Sequence, residues 1–216
     1  MKNLKVVSLV PSWTETLLEC GVNVVGRTRF CVHPSHIIED IPVVGGTKDI
    51  EWDKVKALEP DIVVMDKEEN PLEFGQDCPF PYIATHIDSI DAMSAALLNF
   101  SEKFDNQKLF NLAGRWQAIA AHPPLAVKDL NKFPGLIQWV KKPQTRVQKI
   151  YYMIWKNPWM TVSKKTFIGS VLIKLGIEKY LTDFADKYPE IELKDLVADS
   201  TLLMFSSEPY PFQKKV

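Results

Sequence analysis

Lys5-Val6-Val7-Ser8-Leu9-Val10-Pro11-Ser12-Trp13-Thr14-Glu15-Thr16-Leu17-Leu18-Glu19-Cys20 is the stretch that decides the fold. Val6, Val7, Leu9 and Val10 make a short, apolar, β-branched run, the pattern of a buried strand. Pro11 stops that strand. Ser12 followed by Glu15 reads as a capping box, Thr16, Leu17, Leu18 and Cys20 continue a helix, and Gly21 closes it. A strand that feeds straight into a helix opens a parallel α/β sheet, and in such sheets ligands lie beyond the carboxyl ends of the strands. Pro11-Ser12-Trp13-Thr14 therefore falls where a ligand would lie. Its backbone N–H groups suit an anion or polar group, and the Trp13 ring offers a flat apolar face. The plainer alternative is that Trp13 staples the strand to the helix.

The bulk of the chain is ordinary for a globular protein: 216 residues, 46% hydrophobic, 25% charged, with a net charge of −1. That charge gives no general attraction to nucleic acid or to an anionic membrane. The 15 prolines read as many short connections. Cys20, Cys31 and Cys78 include no C-x-x-C pair, which argues against a zinc knuckle or a redox motif, and their odd number argues against a disulfide framework. No apolar run reaches the length of about 18 residues expected of a membrane span. No secretory signal is recognised ahead of the first strand.

Working outward, short apolar runs at Val22–Val25, Ile41–Val44, Ile62–Met65 and Pro81–Thr85 alternate with helix and loop signals, so the chain to about residue 88 reads as one α/β lobe. From Ser89 to Ala121 the apolar residues recur at helical spacing, with a break expected near Ser101 or Asp105, and Lys128 to Pro143 reads as a further helix. Residues 89–147 are thus a helical linker containing a long backbone helix. A second α/β lobe, 148–216, starts with the strand Lys149–Trp155 and its loop Lys156–Val162. It continues with a helix from Thr166 that Gly176 ends, and closes with the strand Leu202–Phe205. The two lobes echo each other, and a cleft is expected between their strand ends.

Several pieces carry a resemblance when taken in order: Ser8-Leu9-Val10-Pro11-Ser12-Trp13-Thr14-Glu15, Val25-Gly26-Arg27-Thr28, Phe30-Cys31-Val32-His33-Pro34, Val44-Gly45-Gly46-Thr47-Lys48, Leu58-Glu59-Pro60-Asp61-Ile62-Val63, Glu68-Glu69-Asn70, Asn157-Pro158-Trp159-Met160-Thr161 and Ser206-Ser207-Glu208-Pro209-Tyr210-Pro211-Phe212. The set resembles the helical-backbone metal receptors, the periplasmic substrate-binding proteins of ABC importers for cobalamin and ferric siderophores, and most of all their cobalamin-binding-like branch. The resemblance implies two Rossmann-like α/β lobes bridged by a long backbone helix, the class III periplasmic-binding-protein arrangement, with little hinge motion. It also implies a second lobe cut short at its C-terminus, since family members continue beyond Phe212 with a further strand and helix.

The same resemblance implies the function: a binding protein, not an enzyme, holding cobalamin, heme or a ferric siderophore for an ABC permease. Ser12, Trp13, Phe30, Cys31 and His33 from the first lobe, and Trp155, Trp159 and Tyr210 (or Phe212) from the second, are the expected ligand-binding residues. Glu73 and Glu208 are the expected docking carboxylates for permease arginines, a pairing that is bidentate and directional. One of Cys31 and His33 is a candidate ligand to the cobalt or iron of the bound chelate, imidazole suiting both metals. His86, after the strand Ile83-Ala84-Thr85, is a further candidate. No covalent cofactor, nucleic-acid partner or membrane span is expected. A mature chain of this kind would be periplasmic or on the cell surface; without a signal peptide it reads as cytoplasmic, and a cytosolic chelate carrier or sensor is the alternative. A small α/β enzyme is a remoter one. Gly45-Gly46-Thr47-Lys48 lacks the spacing of a phosphate loop, and Ser12 lacks the glycines of a nucleophile elbow.

Overall fold

The computed structural model describes residues 3–127, 129–196, 200–205 and 212. The chain divides into two compact units, Met1–Ile87 with Asp91–Gln117, and Asp88–Ile90 with Ala118–Val216.

The first unit is built on strand β1 (Val6–Ser8), helix α1 (Pro11–Glu19) and strand β2 (Val24–Arg27). Helix α1 starts one residue before the expected cap. Pro11 occupies the first helical turn, where a missing N–H costs nothing, and Val10 stands at the cap position without a side-chain bond. The other end is as expected. Gly21, at φ 80°, follows the helix, its N–H reaching the Leu18 carbonyl at 2.8 Å while the Val22 N–H reaches Leu17 at 2.9 Å. That is the double bond of a Schellman cap, and its left-handed residue is where glycine is favoured.

Helices α2 (Ser35–Ile38) and α3 (Trp52–Leu58) lead to strand β3 (Ile62–Asp66), and helix α4 (Leu72–Asp77) leads to strand β4 (Tyr82–Thr85). The Ile41–Lys48 segment, expected as a strand, makes only single bridges, Arg27 to Val43 and Gly45 to Ile50. The sheet order is β2-β1-β3-β4, all parallel. Both faces are covered. Val6, Ile62 and Val64 pack with Trp13, Leu17, Leu97, Phe100 and Leu109, while Val7, Val63 and Met65 pack with Val44 and Val55. Burial on both sides explains why β1 and β3 are continuous apolar runs rather than alternating ones.

The helical stretch is two 15-residue helices, α5 (Ile90–Phe104) and α6 (Gln107–Ala121). The break falls at Asp105, at φ 49°. Asn106 then caps α6, its side-chain oxygen accepting from the Lys108 and Leu109 N–H groups at 2.9 and 3.1 Å. The helices double back, and the Ser94 hydroxyl donates to the Ala113 carbonyl at 3.2 Å. The chain passes from the first unit to the second within α6, between Gln117 and Ala118, so most of the helical stretch belongs to the first unit.

In the second unit the expected helix over 128–143 does not form. Among its described residues there is one 3-10 turn, Leu130–Lys132, and Pro134-Gly135 follows it, a pair that disfavours helix. Strands β5 (Lys149–Trp155) and β6 (Met160–Thr161), helix α7 (Phe167–Lys174), helix α8 (Leu193–Leu196) and strand β7 (Thr201–Phe205) complete the described elements. The sheet order is β6-β5-β7, with β7 parallel to β5 and β6 antiparallel. The Thr166 hydroxyl caps α7 by accepting from the Gly169 N–H at 3.0 Å. Gly176, at φ 85°, closes it as Gly21 closes α1.

Candidate ligand-binding site

In the first unit the strand order reverses between β1 and β3, which is where an open α/β sheet usually receives its ligand. Here the chain's own Asn70 fills that crevice. Its amide donates to the Leu9 carbonyl at 3.3 Å and the Thr47 carbonyl at 3.0 Å, and its oxygen accepts from the Asp66 N–H at 2.9 Å. Asp66, buried at the end of β3, extends the network. It accepts from the Thr85 hydroxyl at 2.6 Å and from the Glu68 N–H at 2.9 Å. The ends of β1, β3 and β4 are thereby tied together under the surface.

Trp13 belongs to this network. It is 3% exposed, its indole N–H donates to the Thr85 hydroxyl at 2.9 Å, and Phe100 meets its ring edge to face at 4.7 Å. The expectation of an exposed ring face is corrected: the ring turns inward and staples α1 to the sheet. Ser12, one residue earlier, is exposed in the first turn of α1.

Beyond β2 the chain makes a loop whose shape is set by Arg27. Its guanidinium donates to the carbonyls of Ile38, Ile41 and Cys31 at 2.9–3.0 Å, with a longer contact to Thr28 at 3.4 Å. Phe30 and Val32 are 53% and 57% exposed on this loop, and His33 is exposed beside them. Arg29 lies over the Phe30 ring at 5.1 Å and grips Asp49 with two bonds of 2.7 and 2.9 Å. That hydrogen-bonded pair holds the Asp49 carboxyl below the usual carboxylate range. A side chain at Gly46 would collide with both partners of the pair, so the glycine makes room for it.

Cys31 lies inward too. It is 1% exposed, and its sulfur lies 3.1 Å from the hydroxyls of both Thr14 and Thr28. Residues two apart on an extended strand share a face. Here the Cys31 N–H turns back to the Thr28 carbonyl, and Cys31 points inward while His33 points out, so the two do not share a metal ion. Among the described residues no three His, Cys, Asp or Glu side chains gather as a metal site.

A polar cluster flanks the end of β3. Lys48 donates to the Glu68 carbonyl at 3.3 Å, and Glu68 lies 3.7 Å from His86. The neighbouring Glu69 carboxyl is pushed above its ordinary range by desolvation; Asp66 and Glu68 add to this and Lys48 opposes it. Glu69 is exposed. Glu73 is exposed in the first turn of α4, next to Leu72.

In the second unit Trp155 is 49% exposed at the carboxyl end of β5. Trp159 is half-buried. It lies parallel to Phe212 at 6.4 Å, tilted against Phe205 at 6.4 Å, with the Lys156 ammonium 5.4 Å over its ring. Tyr210 and Glu208 lie outside the described residues. Sequence reasoning missed Arg27, Asp66 and Thr85 as organisers of this region. For Asp66 a signal was present, a carboxylate closing an otherwise apolar strand.

Comparison with known proteins places this geometry in a fold class. No family model matches the sequence. The chain is similar to a vitamin B12-binding protein of Vibrio campbellii, 20% identical, over 94% of this chain and 70% of the relative. Among solved structures it is similar to a periplasmic heme binding protein from Pseudomonas aeruginosa, with a TM-score of 0.70 and 16% identity. That match covers all (100%) of this chain and 76% of the other. It is similar as well to the periplasmic vitamin B12 binding protein of Vibrio cholerae, with a TM-score of 0.67, 16% identity and coverage of 94% and 76%. The chain has the fold of the class III periplasmic binding proteins.

Proposed function

We propose that the chain is a substrate-binding protein that takes up a large, flat, metal-bearing ligand, a corrinoid, heme or ferric siderophore, for delivery to an ABC permease. The observation that carries this reading is the loop beyond β2. It presents Phe30, Val32 and His33 to solvent while Arg27 holds its backbone from beneath. Exposed apolar and aromatic groups on a preorganised loop suit a rigid planar ligand, because little side-chain or loop entropy is lost on binding. The likeness to B12- and heme-binding proteins supports the ligand class. It also supports a binding role over an enzymatic one and a place outside the cytoplasmic membrane. Trp155 is the candidate contact from the second unit, His33 the candidate axial ligand, and Glu73 and Glu208 the docking carboxylates.

The test is a titration of tryptophan fluorescence with cobalamin, heme and a ferric siderophore. Saturable quenching by one of them is expected, with Phe30→Ala weakening it by about tenfold, the scale of an aromatic anchor. Glu73→Ala should leave the affinity unchanged. Equal affinity in the parent and Phe30→Ala would remove the loop from the site, and no quenching by any of the three would reject the ligand class.

A further inference from the structure

The segment between α6 and β5 carries a surface of a different kind. Val140 and Ile137 are the most exposed large apolar side chains among the described residues, at 84% and 78%. Trp139 between them is half-buried. Lys132, Lys141, Lys142, Arg146 and Lys149 crowd the same segment, all exposed, against one carboxylate, Asp129. Asp129 is already engaged by Asn131, whose backbone N–H and side-chain amide donate to it at 2.9 and 2.8 Å. These bonds hold its carboxyl below the ordinary range, with Lys132 and Lys142 adding to the effect. An open depression of about 560 Å³ lies in this region, lined by Asn131, Pro143, Arg146, Lys179 and Tyr180 among others. Arg146 and Val147 lead into the amino end of β5, so the depression is at the opposite end of that strand from Trp155.

We propose that residues 132–149 form a docking surface for an anionic phospholipid membrane. Ile137 and Val140 enter the boundary between headgroups and acyl chains, Trp139 lies at headgroup level, and Lys141, Lys142 and Arg146 meet lipid phosphates. Single exposed apolar residues are common and need no partner. Two at this exposure, with a tryptophan between them and a cationic rim, have the composition of an interfacial anchor. The net charge of the chain is −1, so this local excess of cations is set apart from the rest of the molecule. The charge also argues against a second copy of the chain. A two-fold contact sets a patch against itself, and here that would face like charge with like.

The experiment is co-sedimentation of the full chain with phosphatidylcholine vesicles and with phosphatidylcholine–phosphatidylglycerol vesicles. Binding to the second, weakened by salt, is expected, with little binding to the first. K141E/K142E should lower the partition by about thirtyfold or more, and V140S should lower it separately, each variant keeping the parent's circular dichroism. Equal binding to both vesicle types, or full binding by K141E/K142E, would overturn the proposal. So would a dimer in sedimentation velocity that V140S dissolves, or displacement from vesicles by inorganic phosphate alone. The fluorescence titration, run on the same variants, reads ligand binding independently, so the two proposals fail or stand separately.

Discussion

At the carboxyl end of β3, Asp66, Asn70 and Thr85 join three strand ends through buried hydrogen bonds. At the carboxyl end of β5, the contacts around Trp159 are ring faces, Phe205, Phe212 and the Lys156 ammonium. The first arrangement is directional: each donor needs its acceptor, and a buried group left without one carries its full desolvation cost. The second is tolerant, since stacked rings shift against each other with small loss. The carboxyl edge is rigid in the first unit and more adaptable in the second.

The largest effect expected from this contrast is on the two tryptophans. Trp13→Ala should destabilise the first unit by about 3–5 kcal/mol, the range for removing a buried aromatic side chain. Half-buried Trp159→Ala should cost less than half as much. Urea denaturation of each variant measures this, and equal losses would break the comparison. Next in size is Asn70→Ala, which strips partners from the Asp66 N–H and from the Leu9 and Thr47 carbonyls. A loss of about 1–3 kcal/mol is expected, with faster hydrogen exchange at Asp66. An unchanged midpoint would mean that the network adds no rigidity.

The smallest effect is at Glu69. Its folded-state carboxyl holds its proton more tightly than an unfolded one. The associated stability is therefore fully present below the ordinary carboxylate range and is lost as pH rises through the raised value. Glu69→Gln should raise the melting temperature slightly at neutral pH and give no gain in acid. A gain that persists in acid would place its origin elsewhere than in this carboxyl.

The opening strand and helix were legible because β-branched runs, a proline and a closing glycine act through local sterics. The orientation of Trp13 was not. The same local sequence serves a ring turned in or out, and what decides it is Thr85, 72 positions away, together with Phe100. Asn70 appeared in a recognisable motif, Glu68-Glu69-Asn70, but that motif did not show that its side chain bonds the ends of β1 and β3. The expected helix over 128–143 failed for the opposite reason. Pro134 and Gly135 interrupt it, and the result is an irregular segment with Ile137 and Val140 exposed. Phe30 was legible as a candidate, and the structure places it on the surface; Cys31 beside it was equally plausible and is buried.

Arg27 has one further consequence. The groups it engages on the loop beyond β2 are backbone carbonyls, and carbonyls do not titrate. A loop latched by a carboxylate would loosen as its environment acidified. The partners of this latch are carbonyls instead. Lysine, with a point charge in place of a planar fork, could not span the same set of acceptors. The exposed Phe30 ring is thus carried on a frame whose hydrogen-bond acceptors have no proton to gain or lose.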